Sequence, residues 1–202
     1  MEKASISWAE ELLKKLILED KRPVPDSFIP HSIGVHNVTY LASCGLLYKS
    51  YDVDVELARV SALLHDIGKR VATPDEIKKD PGLVFDNIYG YNYLRKIGHP
   101  EIANIILPNF TSKELYELRP DMYPPEIKPE QLELRTDEQK LVTYGDMHVT
   151  ADGNYVSFNQ RMHYLRRWRS QDSLLIESFD NGGEERLKKV NDEINEKLGI
   201  IV

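Results

Sequence analysis

The chain predicts an all-α fold, and three observations carry that reading. Apolar residues recur at i, i+3, i+4 and i+7 along most of the sequence, with helix-start signals ahead of several such runs. No stretch shows the period-two alternation of a strand ladder, and there is no internal repeat or low-complexity tract. At 202 residues and 41% hydrophobic, these helices can close around one core. The expectation is a single domain over residues 1–202.

The elements follow in order. Ser7 with Glu10 forms a capping-box pattern, and Trp8, Leu12, Leu13, Leu16 and Ile17 make one apolar face. Pro23 and Pro25 end that first helix. A second begins near Pro30, and its inward row is His31, Val35, Val38, Ala42 and Gly45. The small Ala42 and Gly45 admit a closely packed helix. Asp54 and Glu56 start a third helix through Val55, Ala58, Ala62, Leu63 and Leu64, broken by Gly68 just past His65-Asp66. Thr73-Pro74-Asp75-Glu76 combines an N-cap Thr, an N1 Pro and an N3 Glu, and Lys79-Asp80-Pro81-Gly82 stops the helix it begins.

Further helices are expected from Asn87 to Ile97, closed by Gly98, and from His99-Pro100 to Leu107, ended by Pro108. Four prolines between Pro120 and Pro129 predict an extended surface segment that could form a flap. Thr136 with Gln139 caps a helix carrying Leu141, Val142, Asp146 and Val149; Asp152-Gly153-Asn154 is a turn. Gln160–Trp168 and Glu184–Leu198 complete the chain as helices with charged outer faces.

Composition bounds the function. With 26 Lys+Arg against 33 Asp+Glu, the formal charge of -7 argues against blanket neutralisation of a long nucleic acid. The lone Cys44 cannot form an internal disulfide. Apolar runs such as Ile102–Leu107 are far shorter than the roughly 20 residues of a membrane span. The charged, amphipathic start MEKASISWAEELLKK lacks a signal-peptide core. These features predict a cytoplasmic protein with no membrane partner.

Six histidines are present: His31, His36, His65, His99, His148 and His163. His65-Asp66 stands out, because adjacent residues lie about 100° apart around a helix and can grip one cation together. Imidazole nitrogen with carboxylate oxygen suits Mn, Fe, Co, Ni or Zn rather than calcium. A plainer reading pairs Asp66 with Lys69 and leaves His65 to cap the helix end. The doublet alone supports both. His31 shares the inward row of its helix, whereas His36 lies about 140° round the axis. Asp146 stands one turn after Val142 on an inward face, where a carboxylate needs a charged partner, either a cation or an arginine.

Taken together, these residues resemble the HD-domain metal-dependent phosphohydrolases, whose ligands are a His, a later His-Asp doublet and a distant Asp. The matching segments are His31-Ser32-Ile33-Gly34-Val35, His65-Asp66-Ile67-Gly68-Lys69 and Leu141-Val142-Thr143-Tyr144-Gly145-Asp146. Between them run Gly90-Tyr91-Asn92-Tyr93-Leu94 and Gly98-His99-Pro100-Glu101-Ile102-Ala103 in the family's order. The resemblance implies a helical HD-domain bundle with a metal-binding core over about 28–150 and extra C-terminal helices over about 155–202. It implies one divalent metal ion per chain on His31, His65, Asp66 and Asp146, and hydrolysis of a small phosphorylated, nucleotide-like substrate. Asp66 is the candidate that orients the attacking water, and Lys69 the candidate for binding substrate and neutralising transition-state charge.

Two-metal members carry further histidines after the Gly-His-Pro-Glu stretch, where this chain has Leu107-Pro108-Asn109-Phe110. His99 is the nearby substitute, or simply a helix cap. The stretch His65–Leu83 also resembles the HD-GYP cyclic-dinucleotide phosphodiesterases, but their Gly-Tyr-Pro block and paired histidines are absent. A regulatory HD-fold module that binds metal without turnover is the alternative reading. Arg59, Arg70 and Arg95 are phosphate contacts or surface charges. Arg161, Arg166, Arg167 and Arg169, interleaved with Tyr164 and Trp168, form the one basic patch. It either grips a nucleotide or RNA end or is a solvated helix face, one that could meet a second copy in a homo-oligomer.

Overall fold

In the computed structural model, which describes residues 4–20, 22, 27–168 and 172–200, the chain is all-α. Among the described residues the strand-like pairing is a single bridge between Val149 and Tyr155. Helix α1 (Ile6–Glu19) starts one residue ahead of Ser7, because Ser5 sits in extended backbone and its side chain accepts from the Trp8 N–H. The Ser7 pattern therefore lies inside the first turn. Pro23 and Pro25 lie outside the described residues.

Helix α2 (Phe28–Tyr48) carries His31, and α3 (Val55–Leu64) is capped by Asp54, which accepts from the Leu57 N–H. The chain then turns through His65-Asp66-Ile67 into α4 (Gly68–Val71). Gly68 is thus the first residue of a new helical turn rather than a breaker. Its missing side chain has another cause: a Cβ there would overlap the Asp86 carbonyl, so only glycine lets α4 touch α6 (Asp86–Lys96). Between them, α5 (Pro74–Lys79) has the full Thr73–Glu76 capping box. Gly98, at φ 90°, closes the α6 end, and α7 (Pro100–Ile106) follows.

The short α8 (Ser112–Leu118) was not legible in the sequence; it has no side-chain cap and is seven residues long. The proline-rich stretch is no flap. It folds into two 3-10 turns, and Tyr123, Ile127 and Leu132 are buried in the largest core cluster, with the Tyr123 hydroxyl donating to the Ser112 carbonyl. Proline breaks a continuous α-helix there but says nothing about exposure. Helix α9 (Asp137–Asp146) has the Thr136–Gln139 capping box. Then come α10 (Phe158–Trp168), the unforeseen α11 (Ser173–Ser178) and α12 (Glu184–Leu198).

Helix α2 packs against both α3 and α9, which brings the three site-bearing segments together. Gly145 makes the α2–α9 approach possible, since a Cβ there would sit 2.9 Å from the Val35 carbonyl oxygen. Helix α12 covers the outer side of α9 and α2, and a Cβ on Gly45 would meet Leu198, which explains the small residue expected at that position. Fully buried Leu64, Ile67, Leu94 and Ile106 bind α3, α6 and α7 into one core, each worth roughly 2 kcal/mol of apolar burial. No helix among the described residues is long and apolar enough to cross a membrane.

Candidate metal centre

The core positions a cluster of ionisable side chains at one end of α2, α3 and α9. His31, His65, Asp66 and Asp146 are all buried. One ligand atom from each of His31, His65 and Asp66 falls within 4.8 Å of the other two, and this is a group that could hold a metal ion. Asp146 joins through His31, whose Nε2 lies 3.3 Å from Asp146 Oδ1 and 3.9 Å from Asp66 Oδ2.

Both imidazoles are anchored by their other nitrogen. His31 Nδ1 lies 3.0 Å from the Thr150 carbonyl oxygen, and His65 Nδ1 lies 2.8 Å from that of Ala62. A carbonyl only accepts, so each anchor assigns the proton to Nδ1 and leaves a lone pair on Nε2. His65 Nε2 is buried with no hydrogen-bond partner, and Asp66 Oδ1 is 3.4 Å away. Lone pairs and carboxylates facing one another in a buried site repel unless a cation lies among them. The donor set therefore fits a divalent transition metal.

The carboxylates are tuned accordingly. Burial alone would push the Asp66 carboxyl up, but the Lys69 ammonium holds it well below the usual range. Asp146 is likewise held low against its burial, with the Arg161 guanidinium among the groups that lower it. Burial also depresses His65, which keeps the ring neutral and able to ligate. The plainer sequence reading is present too: Lys69 Nζ is 2.5 Å from Asp66 Oδ2, and Arg161 Nη2 donates to Asp146 Oδ1 at 3.2 Å. Pairing and ligation coexist because each carboxylate has two oxygens.

Other candidates fall elsewhere. His36 is half-buried beside Asn37 and Tyr40, His148 bonds the Tyr144 carbonyl, and His163 is exposed. His99 supplies no side-chain cap; its ring packs against Trp8 at a 45° tilt and reaches Glu101 at 3.2 Å. Arg59 pairs with Glu56, Arg95 with the Tyr91 hydroxyl and Arg70 with Asp20. The basic patch separates: Arg166 pairs with Asp180 and Glu184 and Arg167 is exposed, while Arg161 is buried against the centre. Arg169 lies outside the described residues.

Two cavities meet at this cluster. One, of about 100 Å³, is lined by His31, His65, Asp66, Lys69 and Asp146. A wider one, of about 740 Å³, shares His31, Asp66, Lys69, Leu83 and Arg161 and adds an apolar wall from Phe28. Asn109 lines the smaller cavity and accepts from the Thr143 hydroxyl, so the loop after α7 contributes an amide there rather than a histidine. Sequence reasoning missed Asp86. Its Oδ2 is 3.6 Å from Lys69 Nζ, and burial, with Asp66 close by, raises its carboxyl well above the usual range. An aspartate at a helix start reads as an ordinary dipole partner; only the Gly68 contact carries this one inward.

The HD domain family model matches residues 28–146. An uncharacterized protein of Methanocaldococcus jannaschii is 26% identical over 144 residues, covering 68% of this chain and 78% of that protein. No solved structure matches the chain.

Proposed function

The chain belongs to the HD-domain family, and from that premise we propose that it is a metal-dependent phosphohydrolase acting on a phosphate ester or anhydride of a small nucleotide-like compound. The observation that carries this reading is His65 Nε2, buried, unpartnered and facing the His31 and Asp66 ligand atoms. The ligands are His31, His65, Asp66 and Asp146, with one Mn, Fe, Co, Ni or Zn ion per chain. A divalent ion bound there supplies Lewis acidity toward a phosphoryl oxygen and lowers the pKa of the attacking water.

The remaining work belongs to the side chains. The Thr150 and Ala62 carbonyls hold the imidazoles in one tautomer and orientation. Lys69 holds Asp66 through Oδ2, which leaves Oδ1 for the ion and its second lone pair to accept a hydrogen bond from water and aim that water's oxygen at phosphorus. As that P–O bond forms and the bond to the leaving oxygen breaks, the Lys69 ammonium offsets the charge on the phosphoryl oxygens. A cavity of about 740 Å³ falls within the range for small-molecule sites, and Phe28 and Leu83 offer an apolar wall for a base.

The test is metal content after incubation with Mn, Co or Ni, followed by a panel of nucleotides and phosphodiesters, with Asp66→Ala in parallel. Wild type should take up one ion and hydrolyse at least one compound; Asp66→Ala should lose both. Uptake without turnover across the panel would instead identify a regulatory module. Absence of uptake would overturn the ligand assignment.

A further inference from the structure

Resting on that reading, we propose that Arg161 is a substrate-phosphate ligand: the C-terminal helices complete the site by bringing its guanidinium opposite Lys69, so that the two cations bracket one phosphoryl group. Residue 161 lies beyond the segment 28–146 that the family model matches.

The local sequence delivers it there. After α9 the chain reverses through Thr150–Asn154, where Gly153 adopts φ 79° with the Pro30 carbonyl so close that a Cβ would clash. The same turn presents the Thr150 carbonyl to His31. Ser157 and Gln160 then form reciprocal side chain–backbone bonds that start α10. Phe158, Met162 and Leu165 pack with Met147, Phe179 and Leu187, and Arg161 shares their face at i+3 from Phe158. The arginine is consequently only 6% exposed.

A buried guanidinium is costly unless its donors are used. One bond goes from Nη2 to Asp146, while Nε is buried without a hydrogen-bond partner. Arg161 lines both cavities, as does Lys69. A residue serving only to neutralise Asp146 would spend its second N–H on that carboxylate, whereas Arg161 leaves Nε unused. A planar fork with N–H groups to spare is suited to the oxygens of a phosphate, which it can bind two at a time.

The test titrates inorganic phosphate into the full chain by calorimetry, with and without Mn²⁺, and measures Mn²⁺ affinity separately by electron paramagnetic resonance. Arg161→Gln should weaken phosphate binding at least tenfold in the titration without Mn²⁺, a loss that no change in Mn²⁺ affinity can produce. Arg161→Lys, which keeps the charge but loses the fork, should fall between the two. If Arg161→Gln does not fold, Arg161→Lys decides, and unchanged phosphate affinity there overturns the proposal. Loss of Mn²⁺ with phosphate binding intact, or no phosphate binding by wild type, would also overturn it. Failure of Mn²⁺ uptake by wild type would instead strike the metal assignment, because phosphate is titrated without metal as well.

Discussion

Consecutive residues of α4, Lys69 and Arg70, serve two different carboxylate clusters, and the contrast separates a structural site from a chemical one. Arg70 joins Asp20 and Arg22. Both Asp20 oxygens accept from Arg22, Arg70 lies 2.8 Å from Oδ2, and each arginine donates to the other's carbonyl. Burial would raise the Asp20 carboxyl, but the Arg22 hydrogen bonds and the Arg70 charge hold it low. Lys69 joins Asp66 in a cluster where His31 Nε2, His65 Nε2 and two carboxylates converge and His65 Nε2 has no donor at all. In the first cluster both carboxylate oxygens are met by guanidinium groups. The second is short of positive charge at its centre.

The sharpest break of that comparison is to delete each aspartate. Asp66→Ala should lower metal affinity by more than about 100-fold, since outer partners alone cost 10–100-fold and this is a direct ligand. Asp20→Ala should leave metal uptake intact and cost roughly 2 kcal/mol of stability, between the exposed and fully buried limits for an ion pair. Calorimetric metal titration and urea denaturation of both variants check this. Metal loss in Asp20→Ala would erase the distinction.

A smaller effect comes from pH. His65 is depressed chiefly by burial, and so are His36 and His148. A folded-state pKa below the unfolded value means that the unfolded chain binds protons first. The histidine contribution to the stability of the metal-free protein should therefore be complete above about pH 6.5 and fall as pH drops below it. The low Asp66 and Asp146 add a further loss only below about pH 4. The Asp20 cluster contributes nothing to the higher window. Denaturation of metal-free wild type and His65→Gln between pH 5 and 8 reads the difference: the variant should show a shallower slope, and an identical slope would remove His65 as its source.

What was legible in the sequence follows the same division. Signals that act within one helix were readable: the Thr73 and Thr136 boxes, the Asp54 cap, and the inward row carrying His31. Near misses came from signals lacking a unique phase, as with Ser5 and Ser7, or lacking tertiary reference, as with the buried proline segment. Asp86 was beyond reach, and Arg161 was visible only as one of four arginines in a patch that read equally as a solvated face, for one reason. Each looks like a surface charge on its own helix, and each is carried inward by a contact made elsewhere: Gly68 against the Asp86 backbone, and the α10 apolar face against Met147 and Phe179. Spacing within a helix reveals which residues share a face, but not what that face meets.

The smallest expected effect tests that rule on a single helix. His31 and His36 both belong to α2, five residues apart, and differ in what their faces meet. His31 Nε2 looks onto Asp146 and Asp66, whereas His36 pairs with Asn37 and stacks on Tyr40 at a centroid distance of 6.3 Å. His36→Ala should therefore leave metal affinity and turnover within about twofold of wild type and cost no more than about 1 kcal/mol of packing. Parallel metal titration of His31→Ala and His36→Ala makes the comparison internal to one element. If His36→Ala stripped the metal, helix phase would have misassigned the ligand, and the α2 contribution to the centre would have to be redrawn.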